Sequence, residues 1–569
     1  MKKFLIALLL TALFTSCDNP TVYLSDYLTE ESSVNAMPAV HEALKTCVER
    51  NADRLVLPGD TLNLLSGGFE VDMPRNYGNS QSNIDVAFNL TDVKNLKIEG
   101  NGTTLLFSGF VVPFLMLNSE DIEISDINID YVHTIHSEAE IVGVGDGWID
   151  LKFKKEYICK IEDGLLQIYD ERGINYPYGL LLEYDPTKQE PAIGADDQWT
   201  DGPGLPAEVI GDNTFRIHKA IKGTPGNVLV LGAGVRRAAA FPMTYSKNIS
   251  IKNVNLYHCG GMGVTADCCR DINVDNFVVE PSVGRVMSIP GDPTHFSNCT
   301  GKIKVVNCRF KGQYDDDVNI HGMYMTIREI LDDHSFIAEW PHHYVQGDIL
   351  KENNHIEIEN GQNMQSMGRF LVETVSDSDV DNYSNVVRLK ESIPADVQPG
   401  MVVAADEEYP DVLVEGCRFG GHRARGIIMN NRGHTVIRNN WFHTDHAAIN
   451  FEGDASYWYE QSGARDVEIS GNTFENCNYG HPGWNSDACI TIGTRIPDLS
   501  GEECYHRNIR ITGNTFKISC PCILNLYSVD GLVFKDNVII ETNNEYPNRG
   551  SYPERFRVSP ECKNIVIEE

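Results

Sequence analysis

The octapeptides "VEISGNTF" (467–474) and "IRITGNTF" (509–516) match almost letter for letter, although they lie far apart in the chain. Each has an apolar residue, any residue, a second apolar residue, two further residues, then Asn, and an aromatic residue two positions later. With Cys allowed in place of Asn, or another apolar residue at the end, the plan recurs in "IKVVNCRF" (303–310), "VLVEGCRF" (412–419), "TVIRNNWF" (435–442) and "LVFKDNVI" (532–539), and more loosely in "ISIKNVNL" (249–256), "INVDNFVV" (272–279), "IEISDINI" (122–129) and "LKIEGNGT" (96–103). A motif repeated along the chain indicates a repeat architecture.

The spacing of the copies indicates which architecture. Measured between second apolar positions, 23 residues separate Ile251 from Val274, and 23 separate Ile511 from Phe534. Short strands with alternating apolar residues bury a face only if each coil stacks on the previous one, with parallel strands about 4.8 Å apart. The sequence therefore predicts an all-β chain folded as a right-handed parallel β-helix. We expect Asn at the turn position, because it tolerates a left-handed backbone and can bond to its neighbours from coil to coil.

Two intervals are far longer, 127 residues from Ile124 to Ile251 and 109 from Val305 to Val414. After one coil is subtracted, about 104 and about 86 residues remain, and each is enough for a small domain. Both segments contain short strand patterns with Gly and Asn turns, so each is predicted to be an inserted β-barrel or sandwich. The predicted organisation is a signal peptide (1–16), N-terminal coils (17–131), a first inserted domain (132–238), coils that carry clustered aspartates (239–321), a second inserted domain (322–408) and C-terminal coils (409–569).

The N-terminus indicates export. Lys2 and Lys3 precede an apolar run and then Cys17, the pattern of a secretory signal rather than of a membrane span. We expect Cys17 to be the lipidated first residue of a bacterial lipoprotein in the periplasm or on the outer membrane; ordinary cleavage nearby is the alternative. The net charge of −34 argues against nucleic acid as a partner, because such a surface repels phosphate. The 15 cysteines lack the spacing of a zinc site, and we expect no metal and no cofactor.

The chemistry is expected where two coils carry aspartates. A second strand follows each repeat by about nine residues, which stacks "GDPTHF" (291–296) on "DDDVNI" (315–320). Asp292 then stands three residues before His295, as Asp316 stands three before Asn319. The register therefore predicts that Asp292 and Asp316 occupy equivalent places on adjacent coils, with Asp317 beside them.

Clustered carboxylates have four interpretations. They can be solvated turn residues, or ligands of a calcium ion in a polysaccharide lyase, or non-catalytic contacts to sugar hydroxyls. A lyase also needs a basic group from elsewhere, because no Lys or Arg lies in 286–300 or 312–327. The fourth is inverting glycoside hydrolysis, in which one carboxylic acid protonates the leaving oxygen and a carboxylate activates water, roughly 6.5–9.5 Å away. Crowded like charges would raise the pKa of one group and keep a proton available near neutral pH.

With its lone Asp on one coil and Asp-Asp-x-Asn on the next, the chain resembles the polygalacturonase-like glycoside hydrolases, but their Gly-His-Gly and Arg-x-Lys signatures do not appear. It is more similar to the exo-acting bacterial α-1,3-galactosidases with a β-helix fold, which remove terminal galactose from blood group B and linear Gal-α1,3-Gal glycans. That likeness covers nearly all of the mature chain and centres on "GDPTHFSNCTGKIKVVNCRFKGQYDDDVNIHG" (291–322).

The resemblance implies roles for particular residues. Asp316 would be the general acid, and Asp317 and Asp292 would hold and deprotonate water. Asp316 and Asp317 are chosen over Asp315 because Asn319 must follow in register. Further residues are expected to bind the sugar hydroxyls or line the sugar pocket: His295, Asn319, His321, Arg423, Arg425, Glu452 and Trp484. A different β-helix hydrolase or lyase, or a non-catalytic glycan-binding lipoprotein, remain alternatives, and the oligomeric state is open.

Overall fold

The computed structural model describes residues 20–74, 83–176, 178–200, 204–342, 347–381, 383–461, 463–480, 488–493, 495–542, 546 and 552–569. Trp484 and Cys17 lie outside these residues. Within them the chain is a parallel β-helix with two inserted β-domains, which confirms the predicted fold class. None of the helices in the described part has the length and the apolar run needed to cross a membrane.

The first sheet contains the repeats found in the sequence. Val467 pairs with Ile509 and Phe474 pairs with Phe516, so the two octapeptides lie directly on top of each other. The strands of the first sheet are Thr21–Tyr23, Arg54–Val56, Thr61–Leu65, Lys94–Ser108, Glu120–Tyr131, Lys247–Leu256, Arg270–Val279, Thr300–Val306, Arg309–Lys311, Asp411–Glu415, Arg418–Gly420, His434–Arg438, Trp441–His443, Asp466–Ser470, Thr473–Glu475, His506–Thr512, Thr515–Ile518, Val529–Lys535, Val538–Glu541 and Lys563–Ile567.

The second sheet runs along another face of the helix and carries the aspartates. His295 pairs with Thr265 on one side and with Asn319 on the other, which confirms the register predicted for the two aspartate coils. The strands of the second sheet are Glu70–Asp72, Asn83–Thr91, Val111–Leu117, Phe241–Thr244, Val264–Asp267, Thr294–Ser297, Val318–Met323, Ile427–Asn430, Ile449–Phe451, Glu460–Gln461, Ile490–Ile492, Leu524–Leu526 and Phe556–Val558.

Two kinds of side chain repeat along the interior. The rings of Phe474 and Phe516 stack with their centroids 4.6 Å apart, in a column that continues through neighbouring coils. At the turn, the amide of Asn472 donates to Asn514 over 2.9 Å and accepts from Asn440 over 3.0 Å. The left-handed backbone belongs to the preceding residue, such as Gly471 with φ 63°. In these copies two neighbouring residues perform the two tasks that we assigned to Asn alone. In a looser copy one Asn performs both, since Asn276 has φ 52° and its amide donates to Asn253 over 2.9 Å.

One α-helix, Met37–Arg50, covers the N-terminal end of the core, and two 3-10 helices, Leu24–Asp26 and Glu30–Ser33, precede it. Its buried residues recur at helical spacing and belong to the same apolar cluster as the coils. The helix ends at Asn51 in the left-handed conformation, a common C-terminal signal. It shields apolar side chains that the terminal coil would otherwise expose.

The first insert branches off after the strand that ends at Tyr131. Its strands are Ser137–Gly145, Trp148–Phe153, Leu180–Asp185, Glu190–Pro191, Gln198–Trp199, Ala207–Gly211, Thr214–Ile217 and Val228–Leu231, together with a small sheet of Ile158–Glu162, Leu165–Tyr169 and Asn175–Tyr176. The apolar core of this insert is separate from the apolar core of the β-helix.

The second insert is a closed barrel of Met325–Ile330, Ser335–Glu339, His355–Asn360, Gln365–Asp377, Ser384–Leu389 and Val402–Ala405. It starts directly after the strand Val318–Met323, so it lies close to the aspartate coils. Buried Arg432 of the C-terminal coils pairs with Glu357 and with Glu359, the latter over 2.5 Å, and so links the barrel to the helix.

Candidate active site

Three carboxylates meet at one end of the second sheet. Asp292 lies just before the strand Thr294–Ser297, and Asp315 and Asp316 lie just before Val318–Met323 on the next coil. One oxygen of each carboxylate lies within 4.8 Å of the others. Asp292 and Asp316 are each only 2% exposed. The structure therefore brings Asp292 and Asp316 together as the register predicted, but with Asp315 as the third member.

Asp317 points elsewhere. Its carboxylate is fully buried, 2.8 Å from Nε2 of His422, and it accepts a 2.6 Å hydrogen bond from Nε2 of Gln313. Asp317 leads into the strand, where neighbouring side chains point to opposite faces, so it and Asp316 diverge. Our expectation that these two share the groove is corrected: the neighbour of Asp316 in the groove is Asp315.

Two arginines face the carboxylates. Arg425 forks onto Asp316 through Nε and Nη2, at 2.8 and 2.9 Å, and its backbone N–H donates to the same carboxylate over 3.0 Å. Arg236, which follows the first insert, pairs with Asp315. The positive groups that offset this cluster of aspartates therefore come from the protein. Arg425 was expected to line the pocket, whereas Arg236 was not predicted.

The two neighbouring aspartates differ in their affinity for a proton. Burial raises the pKa of Asp316 to about 7, with Arg425 opposing the rise and the charges of Asp315 and Asp292 adding to it. Burial also acts to raise the pKa of Asp315, but the charge of Arg236, helped by more distant arginines, outweighs it and lowers that pKa to about 2. One protonated and one ionised carboxyl group can therefore exist side by side near neutral pH.

His295 connects Asp292 to a second histidine. Nδ1 of His321 lies 2.7 Å from the carbonyl oxygen of Gly322, which can only accept, so Nδ1 carries the proton and Nε2 is an acceptor. Nε2 of His295, 2.9 Å away, must then donate to His321, while Nδ1 of His295 lies 2.7 Å from Asp292. Burial acts to lower the pKa of His295, but the hydrogen bond and the charge of Asp292 outweigh it and the pKa is raised. The contacts favour an imidazolium that donates to both Asp292 and His321.

The carboxylates open into a cavity of about 650 Å³. Its walls come from three parts of the chain: the coils, the first insert with the segment that follows it, and the loop that ends at the strand Glu460–Gln461. The lining residues that matter for the argument are Trp199, Arg236, Asp292, Asp315, Asp316, Asn319, Arg425, Glu452, Trp458, Glu460 and Arg495.

Three polar atoms of this lining have no hydrogen-bond partner among the described residues: Oδ1 of Asn319, Oε1 of Glu452 and Nε of Arg495. Glu452 and Arg495 are close enough to attract each other, at 3.4 Å, without forming a hydrogen bond. On the next coil Asn319 pairs with Ile428, which cannot continue a ladder of polar side chains. Buried polar atoms are nearly always paired, so these three point to a hydrogen-bonding ligand in the cavity.

Comparisons with known proteins identify the family of the chain. The model of one protein family, described as GLAA-B beta-barrel domain I, matches residues 137–229, the region of the first insert. Over 541 residues the chain is 31% identical to alpha-1,3-galactosidase A of Shewanella woodyi, and the match covers 93% of this chain and 87% of that protein. The chain belongs to the α-1,3-galactosidase family.

Other members of the α-1,3-galactosidase family match along the whole chain. Alpha-1,3-galactosidase B of Bacteroides thetaiotaomicron is 26% identical, with 100% of this chain and 93% of that protein covered. A more distant solved structure is the A-module of mannuronan C-5 epimerase AlgE4 of Azotobacter vinelandii, with a TM-score of 0.43, 11% identity, and coverage of 96% and 100%.

Within this family member, the remaining residues that we predicted for the site have different surroundings. Asn319, Arg425 and Glu452 line the cavity, and so does His295. His321 lies behind His295 and does not line it. Arg423 reaches the lining but is bonded to Asp197 of the first insert, with its Nε 2.9 Å from the carboxylate. Trp484 lies outside the described residues.

Sequence reasoning missed several members of the site. Arg236 and Trp199 belong to or follow the first insert, whose position relative to the coils no repeat pattern reveals. Trp458 lies on an irregular loop, and Glu460 begins the two-residue strand that ends this loop. Asp315 was visible but was set aside, because the register argument counted strand positions and Asp315 lies in the turn before the strand.

Proposed function

We propose that the chain is an exo-acting, inverting α-1,3-galactosidase that releases terminal galactose from host-type glycans, namely blood group B structures, linear Gal-α1,3-Gal, or both. The observation that carries the proposal is the cluster of Asp292, Asp315 and Asp316 in one cavity of a chain whose relatives bear the name alpha-1,3-galactosidase. Hydrolysis of a glycosidic bond needs a proton donor and a carboxylate that either activates water or attacks the sugar, and this cluster contains both.

Asp316 is the general acid in this proposal. Its pKa of about 7 keeps a proton on it through the slightly acidic range, so it can protonate the oxygen of the leaving group. When the acid has given up its proton, the fork of Arg425 stabilises the resulting carboxylate.

Asp315 and Asp292 hold and deprotonate the attacking water. Arg236 keeps Asp315 ionised, and His295 bonds Asp292, so both carboxylates can accept a hydrogen bond from water. The resemblance implied this role for Asp317 and Asp292; the position of Asp315 in the cavity leads us to assign it to Asp315 in place of Asp317.

Inversion belongs to this proposal because two carboxylates besides the acid, Asp315 and Asp292, face the same cavity and can hold one water between them. The distance favours the other outcome, since the nearest oxygens lie within 4.8 Å and inverting enzymes hold their carboxyl groups roughly 6.5–9.5 Å apart. Proton NMR of the first-formed galactose decides between them: β-galactose from an α-galactoside means inversion.

Exo-action is supported by the walls of the cavity. The first insert and the loop with Trp458 and Glu460 rise beside a groove that an endo-acting enzyme would keep open for a long chain. Oδ1 of Asn319, Oε1 of Glu452 and Nε of Arg495 make no hydrogen bond among the described residues, so two acceptors and one donor are available to the hydroxyls of a terminal galactose.

The test uses purified protein with Gal-α1,3-Gal, a blood group B trisaccharide, polygalacturonate and an aryl α-galactoside, each with and without EDTA. We expect galactose from the α-galactosides irrespective of EDTA. Unsaturated uronate products would contradict the proposal in favour of a lyase, and binding without turnover would favour a glycan-binding lipoprotein. The ratio of kcat/KM for the trisaccharide and the disaccharide then shows whether a fucose branch is accepted.

A further inference from the structure

Trp199 differs from the other tryptophans that the structure describes. It is 66% exposed, and it is the only one of them in the exposed class. No ring contact, cation–π contact or hydrogen bond of its indole is found among the described residues, whereas Trp441 donates to Glu475 over 2.9 Å and Trp148 lies under Arg216. An indole left in water is unfavourable, because its large apolar faces are better buried.

The backbone of Trp199 is nevertheless fixed. The strand Gln198–Trp199 pairs antiparallel with Leu180 and Leu181 of the first insert. The side chain of Gln198 accepts from the backbone N–H of Lys222 over 2.6 Å and donates to the carbonyl of the same residue over 3.0 Å. The exposed ring is therefore held in place by its neighbours in the sheet.

The same stretch is fastened to the catalytic coils. Asp197, directly before Gln198, pairs with Arg423, which also lies over the ring of Tyr314 at 4.7 Å. Arg423 stands two residues before Arg425, the partner of Asp316. A short covalent and ionic path thus fixes the position of Trp199 relative to the proposed acid.

Trp199 lines the same cavity as the three carboxylates. Asp292 and Asp316 are 2% exposed and Trp199 is 66% exposed, so the carboxylates lie at the deep end and the indole at the mouth. In an exo-acting enzyme the terminal sugar lies deep and the next sugar lies towards the mouth, with the scissile bond between them.

We infer that Trp199 is the platform for the sugar on the leaving-group side, the one to which the terminal galactose is attached. This inference rests on the proposed function. The apolar C–H face of a pyranose would pack on the indole face that water now covers, as apolar rims and aromatic faces do at other binding sites. The first insert then selects the sugar to which galactose is linked, while the coils bind galactose and cleave the bond.

The test compares a substrate that has this second sugar with one that lacks it. Gal-α1,3-Gal has the leaving-group sugar, and α-galactosyl fluoride has only fluoride in its place. For Trp199→Ala we expect kcat/KM for the disaccharide to fall about tenfold, the size of one aromatic packing contact, with the value for the fluoride unchanged within about twofold. Trp199→Phe, which keeps a smaller ring, should lose about two- to threefold on the disaccharide alone.

Val209→Ala is the control, because Val209 is a 63% exposed apolar residue of the same insert and does not line the cavity. It should leave both substrates unaffected, and the thermal unfolding of all three variants should match that of the parent chain. An equal loss on both substrates, or no loss on either, would overturn the assignment of Trp199 while hydrolysis by the parent chain still upholds the proposed function. If the parent chain hydrolyses neither substrate, the proposed function and this inference fail together.

Discussion

The sharpest prediction contrasts Asp315 with Asp317, because the resemblance implied a catalytic role for Asp317 whereas Asp315 is the one that lines the cavity. We expect Asp315→Asn to lower kcat by about 10²–10⁴, the contribution of a general base. We expect Asp317→Asn to keep kcat within about tenfold of the parent value, since its carboxylate does not face the cavity.

The structure also gives the size of the penalty for changing Asp317. Nδ1 of His422 accepts from the backbone N–H of Ala424 over 3.3 Å, so Nε2 of His422 is a donor to Asp317. Gln313 donates to the other oxygen. An Asn offers one acceptor to these two donors and sets its own N–H₂ against the second, so one buried donor loses its partner. We expect a loss of about 1–3 kcal/mol in the free energy of unfolding.

The assay pairs kcat on Gal-α1,3-Gal, measured well below the unfolding temperature, with urea unfolding of each variant. Azide adds a second readout, since a small anion can replace the lost water-activating carboxylate in Asp315→Asn and restore turnover. Full activity in Asp315→Asn together with inactivity in a folded Asp317→Asn would refute the reasoning and restore the pair that the sequence favoured.

Three further predictions follow. Since burial raises the pKa of Asp316 to about 7 and an acid must keep its proton, kcat/KM should fall tenfold per pH unit above about pH 7; a profile flat to pH 9 would contradict its role. Arg432→Met should lower the free energy of unfolding by about 3–5 kcal/mol, because it strands buried Glu359, whereas Arg438→Met, at a surface ion pair, should cost about 0–1 kcal/mol; urea unfolding measures both. Cys17→Ser should abolish labelling of the expressed chain by radioactive palmitate and release it from the membrane fraction, whereas continued labelling would exclude Cys17 as the lipidated residue.

The coils could be predicted because their signal is local and repeated. A residue such as Phe474 must meet Phe516 whenever coils of similar length stack, and a one-residue slip would turn every apolar side chain to the solvent. The same reasoning stacked His295 on Asn319, which lies 24 positions later in the sequence. The strand period determines which residues stack on adjacent coils, and this period can be read from the sequence.

The members of the site that were not predicted lie in turns and in the first insert, where the strand period does not apply. Asp315 stands in a turn, and no alternation rule says which way a turn residue points, so counting back from Asn319 could select Asp316 but could not judge its neighbours. Arg236 and Trp199 reach the cavity only because the first insert folds back over the coils, and its docking depends on a pair such as Asp197 with Arg423, 226 residues apart. The β-helix thus places Asp292 and Asp316 by short-range periodicity, while Arg236 and Trp199 reach the same cavity through long-range contacts. For this reason we expect substitutions in the insert to change which glycan is cleaved before they change whether cleavage occurs.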